Sequence, residues 1–141
     1  MTHAFLPDLL ARGDGALVSV ASAAAHQPAP GMAVHAATKA FVLSFTEALA
    51  HELRDAPVRV LALSLGATRS EFFATSRTSE AGLRFQTPEQ VVATALRALD
   101  ARRRPTTVVS GRVNRLATGA SCLLPRRVVL EAMARGARPA H

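Results

Sequence analysis

The sequence predicts an α/β fold: a partial, doubly wound parallel sheet of three strands with flanking helices. Three observations predict it. Residues 16–21, A-L-V-S-V-A, and 58–66, V-R-V-L-A-L-S-L-G, are short apolar runs of the kind that parallel sheets bury. Between them, residues 33–54 carry Ala37, Phe41, Phe45, Leu49 and Leu53, one apolar side chain every four positions, the period of a helix face. Strand, long helix, strand is a right-handed βαβ unit, because parallel neighbours need a crossover between them.

The remaining elements follow in order. Residues 2–11 read as a helix with Phe5, Leu9 and Leu10 on one stripe and Pro7 making it irregular. Gly13-Asp14-Gly15 is a turn, and residues 23–32, with Pro28, Pro30 and Gly31, are a loop. Val34, Val42 and Leu43 widen the stripe of the long helix, and Asp55-Ala56-Pro57 ends it. Residues 67–86 lack periodicity; Phe72 and Phe73 fit either a substrate lid or core. Thr87-Pro88-Glu89-Gln90 is a helix start, with Thr87 as cap, Pro88 in the first position and Gln90 closing a capping box. Val91, Val92, Ala95, Leu96 and Leu99 form its expected buried stripe, Arg102–Arg104 suit the negative end of its dipole, and Pro105 stops it. T-T-V-V-S-G, 106–111, is a third short strand, and 112–135 is helical with a break at Pro125.

A chain of 141 residues that is 49% hydrophobic is one domain at most, with enough apolar content for a core. Cys122 is the sole cysteine, so no internal disulfide forms, which fits a reducing cytoplasm. No apolar run reaches the ~18 residues of a membrane span, and M-T-H-A-F-L-P-D-L-L lacks the basic start and cleavage site of a signal peptide. Charge is uneven. Residues 1–96 hold six Arg, one Lys and eight acids, whereas 97–141 hold ten Arg and two acids, so the net +7 belongs to the C-terminal third. A basic end can meet nucleic acid or anionic lipid. No aromatic residues are interleaved there for base stacking, which favours a solvated Arg-rich surface and argues against nucleic acid.

The chemistry-bearing stretch is Ser22 to Lys39, S-A-A-A-H-Q-P-A-P-G-M-A-V-H-A-A-T-K. Ser22 closes the first strand. His35 and Lys39, four apart on the helix, point the same way. Lys39 is the only lysine in the chain. Alone, Ser22 reads as a strand-end hydroxyl satisfied by backbone and Lys39 as a surface lysine; their spacing around His35 favours a site. His26 and His51 read as loop and helix surface. Gly66 is open to reading as a plain turn.

This stretch resembles the active-site run of the short-chain dehydrogenase/reductase family. There a strand-end Ser is followed thirteen residues on by the Tyr of Tyr-x-x-x-Lys, as Ser22 is by position 35, and A-A-T-K-A-F (36–41) is similar to the family's A-[ST]-K-A-[FA] run. Position 35 departs: it is His, and the chain has no Tyr. D-L-L-A-R-G (8–13) resembles the end of the family's fifth helix. L-G-A-T-R-S-E-F (65–72) resembles the P-G-x-x-x-T segment that lines the nicotinamide, with Leu65 for Pro and Ser70 for Thr. T-P-E-Q-V-V-A (87–93) and V-V-S-G-R-V-N-R-L (108–116) resemble its closing elements.

The resemblance implies a Rossmann-like fold and a carbonyl/alcohol oxidoreductase using NADP or NAD. Ser22, His35 and Lys39 would be catalytic, and Lys39, Gly66, Thr68 and Ser70 would bind cofactor. No metal site is expected. In the family the Lys ammonium lowers the Tyr pKa and bonds the nicotinamide ribose, the Tyr moves the proton, and the Ser holds the substrate oxygen. His35 is then either a proton carrier or an inert replacement. No Gly-x-x-x-Gly-x-Gly turn occurs in the 141 residues, nor Asn-Asn-Ala-Gly, so residues 1–141 would be a single C-terminal portion of the family's domain without the dinucleotide-fingerprint half. The partners implied are a small carbonyl or alcohol substrate and further subunits of the family in a homo- or hetero-oligomer. The alternative is a non-catalytic partner pairing with a full-length relative through helix 33–54; a basic surface-binding protein driven by 97–141 is a third reading. Without central strands, residues 16–21 would leave an open apolar edge, so the isolated chain is expected to be marginal or aggregation-prone.

Overall fold

The computed structural model describes residues 2–70 and 84–136, apart from the side chain of His3. The elements run α1 (Thr2–Arg12), β1 (Ala16–Ser22), a 3-10 turn (Ala23–His26), α2 (Ala33–Glu52), β2 (Arg59–Leu65), α3 (Pro88–Asp100), β3 (Thr107–Val109), α4 (Arg112–Leu123) and α5 (Arg126–Gly136). The strands form one parallel sheet in the order β1-β2-β3. Thr87 caps α3 as its sequence implies: Gln90 N donates to Thr87 Oγ1 at 3.4 Å and Thr87 N donates to Gln90 Oε1 at 3.1 Å. α4 and α5 meet at Pro125, where the fixed ring angle and missing N–H break the helical run.

The sheet is covered on both faces, because its strands alternate. Leu17, Ala21, Val60 and Ala62 face α1 and α2, packing with Leu9, Leu43 and Ala50. Val18, Leu63, Leu65 and Val108 face α3, packing with Val91 and Ala95. This is the expected α/β, Rossmann-like layering.

Two expectations need correction, and the apolar stripe of α2 divides: Leu49 and Leu53 pack on the core while its phenylalanines lie outside. Ala36, Leu43, Thr46 and Ala50 are buried, while Phe41 is 70% exposed and Phe45 43%. A helix lies close to a sheet when its contact residues are small, and Thr46 is tolerated there because its hydroxyl donates to Val42 O at 2.7 Å. In α3, Val92 and Leu96 point outward, and Val91, Ala95 and Ala98 point inward. β1 is not buried on both faces: Ala16 and Val20 are exposed, since β1 is the sheet's edge and, among the described residues, pairs with β2 alone. That edge carries no charge and no proline, the open apolar edge anticipated from the sequence. Phe72 and Phe73 lie outside the described residues.

Candidate active site

Sheet register builds the site. Ser22, the last residue of β1, pairs with Leu65, the last of β2, one residue before Gly66. Ser22 is also the N-cap of the 3-10 turn, and its Oγ accepts from Ala24 N at 3.2 Å. α2 contributes the other two groups from its first turns. Lys39 Nζ donates to Val20 O at 2.8 Å, tying the helix to β1 two residues before Ser22. His35 is partly buried. Burial holds its pKa below the usual imidazole value, and the Lys39 cation lowers it further. Lys39 thus reaches β1 two residues before Ser22, and His35 feels its charge, at the C-terminal end of the strand, where open α/β sheets bind ligands.

The segment after β2 is held from behind. Gln86 N donates to Ala67 O and Arg69 N donates to Gln86 O, both at 2.9 Å. Thr68 Oγ1 donates to Gly66 O at 3.2 Å, and Ser70 Oγ to Thr68 O at 3.4 Å. Gly66 is required by proximity. A Cβ there would meet the Asn114 carboxamide, 2.6 Å from its Cγ, and Asn114 Nδ2 donates to Ser110 O at 2.9 Å. Gly111, at φ 86°, caps α4 in a left-handed conformation that a side chain would strain. Gln86 Oε1 is buried with no hydrogen-bond partner among the described residues.

Asn114 and Gln86 carried no role in the sequence; their contacts lie far along the chain and leave no local signal. His26 needs correction too. It is half-buried, and its Nε2 lies 3.0 Å from the Oγ of Ser64, a fully buried residue of β2. Burial lowers its pKa, and the Glu47 carboxylate opposes this more weakly. The fold thus favours neutral imidazole. Its contribution is complete above pH 6.5, the unfolded value, and is lost as pH falls below that toward the folded pKa. Urea unfolding at pH 7.5 and 5.5 should show wild type losing more stability on acidification than His26→Gln. Equal losses would contradict the assignment.

The family model for short chain dehydrogenases matches residues 1–81, more than half of the chain. This chain belongs to the short-chain dehydrogenase family. Sulfoacetaldehyde reductase 2 of Chromohalobacter salexigens is 42% identical over 73 residues, 51% of this chain and 29% of that protein. A short-chain dehydrogenase of Burkholderia cenocepacia, solved with NADP, superposes with a TM-score of 0.78 at 25% identity, over 94% of this chain and 54% of its own. One from Sphingobium yanoikuyae, solved with NADPH, superposes with a TM-score of 0.69 at 27% identity, over 99% and 53%. The aligned part thus spans under a third of the sulfoacetaldehyde reductase and about half of each solved short-chain dehydrogenase. Family membership supports an oxidoreductase of the NAD(P) class acting on a small molecule. Among the described residues, no helix is long and apolar enough to cross a membrane.

Proposed function

We propose that residues 1–141 are the C-terminal portion of an NAD(P)-dependent oxidoreductase domain that interconverts a carbonyl and an alcohol, with the proton step impaired at position 35. The observation that carries this is that Lys39 reaches Val20 O, next to strand-end Ser22, while its charge acts on His35 and Ser22 pairs in register with Leu65. The residues present fit the nicotinamide end of a cofactor. Among the described residues, the Thr68 and Ser70 hydroxyls that follow Gly66 bond only to carbonyls of their own segment, Gly66 O and Thr68 O, which leaves their oxygens able to accept. For the pyrophosphate, these 141 residues offer no glycine-rich turn.

When bound, NAD(P)H supplies the hydride. The protein's part is orientation and a proton. Ser22 Oγ would hold the substrate oxygen. Lys39 has three N–H donors and gives one to Val20 O, leaving two for a ribose hydroxyl. His35 would hold the proton at an imidazole nitrogen. Burial and the Lys39 charge keep it neutral near pH 7, so it serves as a base more readily than as an acid.

The test is a fluorescence titration of the folded chain with NADPH and with NADH. Saturable binding supports a nicotinamide half-site that works without the pyrophosphate turn. No binding by a chain folded by circular dichroism would remove the stand-alone dehydrogenase reading.

A second reading, a non-catalytic partner, draws support from the outer face of α2. Val34, Phe41 and Phe45 are exposed there, and the two rings stack at 6.0 Å with 12° between planes. Apolar side chains grouped on one helix face suit a helix–helix interface. Phe41→Glu with Phe45→Glu should shift sedimentation toward monomer and leave the far-ultraviolet circular dichroism unchanged. An unaltered distribution would exclude α2 as the interface.

A further inference from the structure

At the opposite end of the sheet, a cavity of about 130 Å³ opens where α2 ends, β2 begins and β3 begins. Arg54, Arg59 and Arg104 line it from those three places, with His51 and Thr106 beside them and an apolar floor. No acidic side chain lines it among the described residues. Of the neighbouring acids Glu52, Asp55 and Asp100, only Asp55 pairs with one of these arginines, at 3.5 Å from Arg54 Nε. Arg59 and Arg104 have no carboxylate partner among the described residues.

Each of those two arginines gives one N–H to a backbone carbonyl: Arg59 Nη1 to Ala101 O at 3.3 Å, and Arg104 Nη1 to Ala56 O at 3.4 Å. The first meets the C-cap of α3, and the second reaches the loop that follows α2. A guanidinium carries five N–H donors, so most of each fork stays available. Arg54 gives Nη1 to His51 O at 3.1 Å and keeps Nη2 beyond its Asp55 pair, so the three guanidinium groups and a threonine hydroxyl around one recess form a set of donors suited to a tetrahedral oxyanion. The surrounding charge adds to this. Arg102 and Arg103 precede Arg104 and are exposed, within the third of the chain that carries the positive excess.

We propose that this recess binds a phosphate group, presented by a small phosphorylated compound or a phospholipid headgroup. Arg54, Arg59 and Arg104 are its ligands. The recess is separated from Ser22 by the length of β2, about 20 Å of strand, so the site is separate from the nicotinamide half-site.

The experiment titrates the whole chain with inorganic phosphate at constant ionic strength, chloride making up the balance, and follows thermal unfolding and amide shifts. Binding to the folded state alone raises the folding equilibrium constant about elevenfold at ten times Kd. The expected result is a one-site response with shifts at Arg59, Arg104 and Thr106, lost in Arg54→Gln/Arg104→Gln. Arg54→Gln alone, at an exposed side chain, weakens the response and guards against misfolding of the double variant. Glycerol 1-phosphate acting as inorganic phosphate does identifies a soluble ligand. Retention on phosphatidic acid vesicles, competed by inorganic phosphate, identifies a headgroup. Equal behaviour in phosphate and chloride, or a response that both variants keep, overturns the proposal.

Discussion

His35→Tyr, in a chain preceded by the first half of a short-chain dehydrogenase domain, is expected to raise turnover of a carbonyl substrate by about 10²- to 10⁴-fold, the contribution of a positioned general acid. Two effects combine. A neutral imidazole releases its remaining proton far less readily than a phenol, whose pKa of ~10 the neighbouring ammonium would lower further. The imidazole nitrogen also lies nearer the helix backbone than a phenolic oxygen, and a shortfall of ~1 Å costs about 10²-fold. Two neighbours are positioned independently of residue 35: Lys39 is anchored to Val20 O and Ser22 is paired in register with Leu65. Steady-state kcat for both forms checks this. Equal rates would mean that His35 carries the proton adequately or that another group does.

Gly66→Ala is expected to destabilise the fold by about 1–3 kcal/mol, the usual range for overpacking. The added methyl would enter the Asn114 carboxamide, which cannot simply swing away because its Nδ2 is bonded to Ser110 O. Gly66 is not needed for an unusual backbone angle, so the loss should be relieved by removing the obstacle. Asn114→Ala alone leaves Ser110 O without that donor, at about 1 kcal/mol. The double variant should then be more stable than the sum of the two losses by about 0.5–3 kcal/mol, the range for residues in contact. Urea unfolding of the four forms measures the coupling; strict additivity would show that Gly66 and Asn114 do not oppose each other. NADPH binding by Gly66→Ala should weaken along with stability, since the displaced segment is the one proposed to face the nicotinamide.

Element identity was legible in the sequence because it depends on local chemistry. The β-branched run at 16–21, the Thr87–Gln90 capping box and Pro125 each act on their neighbours. The Ser22–His35–Lys39 spacing was legible for a similar reason: one strand end and one helix turn are all it spans. The inward faces were harder to read. Phe41 and Phe45 are the most apolar side chains of α2, yet contact with the sheet goes to Ala36, Leu43, Thr46 and Ala50. Close approach to β1 and β2 selects small side chains, and a threonine that bonds its own helix behaves there as an apolar residue. The contacts His26–Ser64 and Gly66–Asn114 were beyond reach, because each joins residues dozens of positions apart.

The order β1-β2-β3 in the sheet repeats the order of the strands along the chain. Among the described residues, no later strand lies between two earlier ones. The closures are nearest-neighbour ones, and folding slows as contacting residues lie further apart in sequence. Both ladders of the described sheet thus join strands that are consecutive along the chain. The first ladder registers seven residue pairs and the second three. Most of the sheet's registered pairing, and the helix that crosses it, therefore lie in the β1–α2–β2 unit, and β3 adds a short margin.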